Sequence, residues 1–291
     1  MNPEIGASLT DHLPLNVLVI GLNYAPELTG VAPYTSGLAR GLAQRGHAVR
    51  ALTTRPHYPE WKVHPGYDRR NGREIVDGAD VTRLRHYVPE KPEGMRRLLS
   101  EVTFGLQVFF ARWGKPDVVV LVSPALFSSA IAMVRARIGR QRPAVTIWIQ
   151  DIYSLGITET GSGGRATARI VAWIERSTLK AASGVVVIHS RFRDYLSENL
   201  GVDPKRIEIV RNWTHLEEIP PIDTRLVRAA HGWFPEETVV LHAGNMGVKQ
   251  ALGNVIAAAR IADEQEPPAQ ICLAGQWKSA REQFQGRGLW H

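Results

Sequence analysis

The stretch Asn16–Arg50 constrains the fold more than any other part of the chain. Asn16-Val-Leu-Val-Ile-Gly21 is a short apolar run ending in glycine, the pattern of a strand buried on both faces. A loop of turn-forming residues follows, Leu22 to Val31. Pro33 suits the first turn of a helix, and Tyr34, Leu38 and Leu42 recur every four residues on one face. Gly46 is placed to end that helix, and His47–Thr54 reads as the next strand. The unit is therefore strand–loop–helix–strand, the first half of a doubly wound α/β domain. Its loop falls outside the carboxyl ends of the strands, where open parallel sheets bind ligands. Gly21 and Gly30 stand too far apart for the Gly-x-Gly-x-x-Gly turn, which argues against a dinucleotide-dependent dehydrogenase. A longer loop can still offer the Gly30 and Val31 N–H groups to an anion at the helix start.

The rest of the chain repeats this logic. Pro116–Val122, Ala144–Ile149 and Val185–Ile188 read as buried strands, alternating with helices over Leu126–Gly139, Ile170–Thr178 and Ser190–Leu196. Gly72–Tyr87 reads as a strand pair turning at Gly78, and Asp203–Asn212 as the closing strand. Arg135, Arg137, Arg140 and Arg142 suit the carboxyl end of a helix. Trp213–Pro235 reads as an interdomain crossing stiffened by Pro220-Pro221. A second strand–loop–helix begins at Thr238–Gly244 and continues through Lys249 to a helix with Leu252, Val255, Ile256 and Ala259 on one face. Ala269–Gly275 is a further strand, and Gln276–His291 has no apolar periodicity. The expected division is a complete first domain, 1–212, and a partial second one, 213–291.

Composition narrows the class. Hydrophobic residues at 44% and charged residues at 22% are those of a globular protein. No run approaches the roughly twenty apolar residues of a membrane-spanning helix, and Met1–Pro14 lacks the basic region of a signal peptide. The single cysteine, Cys272, excludes an internal disulfide framework and fits a cytoplasmic location. A net charge of +7 allows nucleic acid, anionic lipid or phosphorylated ligands as partners. Nucleic acid is disfavoured because no helix-turn-helix, zinc-finger or RNP-type strand is present.

Three segments carry candidate chemistry. Asp151, with Gln150 before it, ends a parallel strand and so points to the cleft, although aspartate also caps turns and helices. In the irregular segment Arg55–Gly66, His57, Tyr58 and His64 are placed to contact an acceptor but lack metal-ligand spacing. Over Glu93–Trp113, Met95, Leu98, Leu99, Val102, Leu106, Phe109, Phe110 and Trp113 form a broad apolar helical face with Arg96, Arg97, Arg112 and Lys115 at its ends. That face suits burial against the sheet or partial insertion at a membrane surface, with arginines on lipid phosphates.

Pro26, Gly30, Tyr34, Leu38-Ala39, Leu42 and Gly46-His47-Ala48-Val49 together resemble the opening of GT-B glycosyltransferases of family 4. Asn23-Tyr-Ala-Pro-Glu27, Gln150-Asp151 and Gly244-Asn245-Met-Gly-Val-Lys249-Gln250 are similar to its colanic-acid and exopolysaccharide branch. The resemblance implies two Rossmann-like domains and a sugar transferred from a nucleotide-diphosphate sugar to a polyprenyl-diphosphate-linked saccharide. It implies no metal or other cofactor, a helix facing the cleft capped by Ser190, and a donor diphosphate held by Gly244 and Lys249. It also implies a cytoplasmic enzyme peripheral to the inner membrane through residues 95–113. Gln150 stands where many members have histidine, and Asn245 where a basic residue is common. After Asn212 only 79 residues remain, against roughly 150 for a full α/β domain, and the family's Glu-x₇-Glu segment is absent. The expectation is thus a truncated chain with a crippled donor site. A non-catalytic remnant and a nucleotide-sugar 2-epimerase of the same fold are the alternatives.

Overall fold

The computed structural model describes residues 13–68, 72–160, 164–214, 221–244, 250–262 and 269–274. The chain divides into two compact units, 1–215 and 216–291. The first is built on an eight-stranded sheet. Its strands are β1 (Asn16–Ile20), β2 (Ala48–Thr54), β3 (Gly72–Val76), β4 (Ala79–Leu84), β5 (Val118–Val122), β6 (Ala144–Ile149), β7 (Gly184–Val187) and β8 (Ile207–Ile209). They lie in the order β3-β4-β2-β1-β5-β6-β7-β8, all parallel except β3, which pairs antiparallel with β4. Asp77 (φ 49°) and Gly78 (φ 82°) make the turn of that hairpin, the left-handed pair a two-residue connection requires.

Both sheet faces are covered, which is why the strands carry no polar alternation. Leu18 and Ile20 point into one core with Leu121, Ile147 and Val185, roofed by helices α2 (Gly94–Phe110), α3 (Leu126–Ile138), α5 (Arg165–Ala181) and α6 (Ser190–Glu198). Val17 and Val19 point into the other with Val49, Val81 and Trp148, beneath α1 (Ala32–Gln44). Burial of each such side chain contributes about 1.5–3 kcal/mol. Helix α1 has Pro33 in its first turn and is ended by Gly46 at φ 85°.

Two helices depart from the sequence expectation. Tyr153–Thr160 forms α4, although glycine and threonine make it a poor helix former by propensity. Within the expected crossing, Thr224–Ala230 forms α7, capped by Asp223, whose Oδ1 accepts from the Arg225 N–H at 2.9 Å. The second unit also contains β9 (Thr238–Ala243), α8 (Gly253–Ala262) and β10 (Ala269–Ala274), with β9 and β10 parallel. Val240 and Leu241 of β9 are about half exposed. Gly244, at the end of β9, has φ 152°. Asn245 and Lys249 lie outside the described residues.

The α3 arginines act differently from the expectation. Arg135 donates to the carbonyls of Val108 and Phe109, and Arg137 donates to that of Ala181. The cations therefore satisfy the open carboxyl ends of α2 and α5, not of their own helix. Arg135 also stacks over Trp113, 4.5 Å from the ring centroid.

Helix α2 is two-sided. Phe104, Val108 and the following Trp113 are buried, whereas Met95, Leu99, Leu106 and Phe110 form an exposed stripe, Phe110 at 80%. Burial and exposure, posed by the sequence as alternatives, hold on opposite faces of one helix. Among the described residues no helix is long and apolar enough to cross a membrane.

Candidate functional site

Strand register brings the loops together. Ile20 lies level with Leu52 and Leu121, and Val122 with Trp148, so β1, β2, β5 and β6 end at one edge. The loops leaving them enclose a cleft of about 390 Å³. Gly30, Val31, Gln150 and Asp151 all line it, as do His57 and Tyr58. Trp61, Arg97 and Glu101 complete its polar and aromatic wall.

Glu27 organises the loops of β1 and β2. Its Oε1 accepts from the N–H groups of His57 at 2.7 Å and Tyr58 at 2.9 Å, and its Oε2 accepts from Asn23 Nδ2 at 2.8 Å. The side chain is buried, so these charge-assisted bonds fix both loops. His57 Nδ1 lies 3.0 Å from the Arg55 carbonyl, which can only accept, so Nδ1 carries the proton. Burial pushes the His57 imidazole below its ordinary range, with Glu27 opposing the shift. Gly30 takes φ 66°, and a Cβ there would sit 3.2 Å from the Tyr58 ring, so the loop needs glycine on both counts.

At the end of β6 the two candidates part. Gln150 is committed to a reciprocal amide pair with Asn212, at 3.1 and 2.9 Å. Asp151 turns its Oδ1 to the N–H of the adjacent Ile152 at 2.9 Å, a local turn contact before α4, while its side chain stays exposed at the cleft. Ser190 departs from its expected place. It is the first residue of α6, and His189 occupies the cap position with no side-chain cap bond. Ser190 is not among the residues lining the cleft.

The sequence reading missed Glu101. Its Oε2 accepts from the Phe127 N–H at 3.1 Å, while Oε1 has no hydrogen-bond partner among the described residues. Burial pushes the carboxyl up to about 7, against the lowering influence of the Phe127 N–H, Arg97 and Tyr153. The available signal was its helical phase, since Glu101 shares the core-facing stripe of α2 with Phe104 and Val108. Among the described residues no group of three His, Cys, Asp or Glu is placed to hold a metal ion.

A family model described as glycosyl transferase 4-like domain matches residues 29–213. The chain is 32% identical over 274 residues to WcaI of Escherichia coli K12, a colanic acid biosynthesis glycosyl transferase by its name. That match covers 90% of this chain and 66% of WcaI, so the chain spans about two thirds of its relative. Two solved structures are similar in fold. A glycosyltransferase from Rickettsia africae ESF-5 has a TM-score of 0.50 at 11% identity, covering 91% of this chain and 69% of that one. The glycotransferase of kitacinnamycin has a TM-score of 0.52 at 15% identity, covering 94% and 69%. The chain belongs to the glycosyl transferase 4-like family and has the GT-B type of α/β architecture.

Proposed function

We propose that this chain serves transfer of a sugar from a nucleotide-diphosphate sugar to a lipid-linked saccharide in exopolysaccharide assembly. The observation that carries the reading is the convergence of Gly30, Val31, Asp151, Arg97 and Glu101 on one cleft at the carboxyl ends of β1, β2, β5 and β6. Such a cleft suits a hydroxylated ligand, since aromatic side chains meet the C–H faces of a sugar while acids and arginine bind its hydroxyls. The N–H groups at the start of α1 suit an anionic group beside it.

The surface next to the cleft supports the acceptor class. Met95, Leu99, Leu106 and Phe110 expose an apolar stripe on α2, with Lys91, Arg96, Arg112 and Lys115 exposed at its ends. Apolar side chains enter the acyl boundary and cations meet lipid phosphates, which suits a polyprenyl-diphosphate-linked acceptor and a peripheral position at the inner membrane. The donor reading draws on the family resemblance: Gly244, Asn245 and Lys249 take the diphosphate without a bound metal, and Lys249 offsets the departing charge.

The test incubates the purified chain with labelled UDP- and GDP-sugars and a lipid extract containing polyprenyl-diphosphate saccharides. The expected result is a thermal shift with at least one nucleotide sugar, weakened in Lys249→Ala, with any label that passes to the lipid fraction also lost in that variant. Absence of transfer together with absence of any thermal shift from all the nucleotide sugars would overturn it.

A further inference from the structure

Helix α2 carries an acid where its neighbours are core residues. Glu101 is 1% exposed and shares its helical stripe with Phe104 and Val108, both at 0%. An ionisable group in that position costs stability unless its hydrogen-bonding capacity is met. Among the described residues it is met only in part, by the Phe127 N–H and the Tyr153 phenol. Oε2 is held by the Phe127 N–H from the start of α3. Oε1 is left without a partner among the described residues, 3.8 Å from Arg97 Nε and so beyond hydrogen-bond reach. Both Glu101 and Arg97 line the cleft, one turn apart on α2.

The groups facing the carboxyl can be named. Arg97 approaches from the same helix and lies over the Tyr153 ring, 5.8 Å from its centroid. Tyr153 approaches from α4, its phenol raised by burial and by Glu101. Phe127 meets the Tyr153 ring edge-on at 5.8 Å, closing the far side. Glu101 lines the same cleft as Tyr58 and Trp61.

We propose that Glu101 and Arg97 are a hydroxyl-reading pair for the acceptor saccharide, Oε1 accepting from a sugar hydroxyl and Arg97 donating to the same or the adjacent oxygen. The proposal rests on the reading of this cleft as the acceptor side of a sugar transferase. It assigns the unmet oxygen a ligand and explains an acid on a core-facing stripe. A carboxylate accepts a hydroxyl more strongly than a neutral carboxyl does, so binding tightens as Glu101 ionises. With its titration displaced to about 7, the change falls between pH 6 and 8. His57, which also lines the cleft, is pushed below its ordinary value by burial, away from the Glu101 titration.

The test uses the full 291-residue chain and saturation-transfer NMR with methyl glycosides of glucose, galactose, mannose and fucose at pH 6, 7 and 8. The expected result is that at least one glycoside binds, and that affinity rises several-fold, up to about tenfold, from pH 6 to 8. Glu101→Gln weakens binding and abolishes the rise. Arg97→Met, at a half-exposed position, leaves the fold intact, weakens binding at every pH and carries the test if Glu101→Gln does not fold. Undiminished binding by Arg97→Met, or a pH dependence that survives in Glu101→Gln, overturns the pair while leaving the cleft a saccharide site. Failure of every glycoside to bind the wild-type chain overturns the acceptor-side reading itself, and the pair with it.

Discussion

Gln150 and Asn212 exchange two hydrogen bonds, Gln150 Nε2 donating to Asn212 Oδ1 at 3.1 Å and Asn212 Nδ2 donating to Gln150 Oε1 at 2.9 Å. The pair clamps the end of β6 to the segment by which the chain leaves the first unit. The next residue, Trp213, extends the clamp, stacking on Trp148 at 5.8 Å and meeting Tyr34 edge-on at 5.7 Å. Gln150 thus stands at the cleft but faces the chain's exit.

Removal of Asn212 leaves the buried Gln150 amide unpaired, and removal of Gln150 frees the exposed Asn212 and unclamps the exit segment. Gln150→Ala and Asn212→Ala should each cost about 1–3 kcal/mol. Because each loses the same pair of bonds, the double variant should cost less than the sum, with a coupling of about 0.5–3 kcal/mol. Urea denaturation of the four proteins measures this, and simple additivity would refute the clamp.

Gly105 sets the distance between α2 and α3. A Cβ there would meet Ile131 Cδ1 at 2.7 Å and the Ser128 Cα at 2.9 Å. Gly105→Ala gains about 1 kcal/mol of helix propensity. Overpacking costs about 1–3 kcal/mol, and the contact with backbone, which cannot rotate away, decides for destabilisation. The variant should melt lower and lose glycoside binding, since Arg97 and Glu101 ride on the displaced helix. An unchanged melting temperature would contradict this packing.

The fold was legible where pattern and turn chemistry agreed. Asn16–Arg50 combined a two-sided apolar strand, a proline at the helix start and a glycine at its end, and each local signal pointed the same way. Helix α4 was hidden because Tyr153–Thr160 has weak propensity, and its first turn is held by tertiary contacts, Glu175 accepting from the N–H groups of Tyr153 and Ser154 at 2.9 and 3.1 Å. The site was legible in part. Strand ends marked Asp151 and the Gly30 loop, but the partners that decide a side chain's role lie far off in sequence. Asn212 is 62 residues from Gln150, and Glu27 is 30 from His57. No local window contains both members of either pair.

The exposed stripe of α2 should bind membranes. Liposomes containing anionic lipid should sediment the protein, with binding that weakens as salt rises. Leu106→Ser with Phe110→Ser should reduce binding strongly while leaving the fold intact, because both side chains are exposed. Equal sedimentation of variant and wild type would remove α2 from the membrane reading.

His86 is buried beside Phe104 and His57, and neither ring nitrogen has a partner among the described residues. Burial, the largest cause, and the neighbouring His57 and Arg55 hold it well below its ordinary 6.5. A depressed histidine contributes stability above pH 6.5 that is lost as pH falls toward the folded-state value. His86→Leu should match or exceed wild-type stability at pH 7, by up to about 1–3 kcal/mol. It should also lose less stability between pH 7 and 5, and parallel acid profiles would refute the assignment.

Glu101 gives the opposite pH dependence, in a different window. Unfolded, its carboxyl titrates near 4.5; folded, burial raises it to about 7. Below 4.5 both states hold the proton, and the group makes no pH-dependent difference. Between 4.5 and 7 the folded state holds the proton more tightly, so each step upward in pH favours the unfolded chain. Above 7 both states are ionised, and the full penalty, on the order of 3 kcal/mol, is present. An amide does not titrate, so Glu101→Gln escapes the penalty while keeping the size of the side chain and its bond from the Phe127 N–H. Its stability relative to wild type should therefore increase steadily from pH 5 to 8, by up to about 3 kcal/mol. Urea denaturation of both proteins at four pH values resolves a slope of that size. The same substitution is expected to weaken glycoside binding, so a more stable protein at pH 8 should be the poorer binder. That opposition separates a residue kept for a ligand from one kept for the fold: a structural carboxyl would lose stability and binding together when replaced.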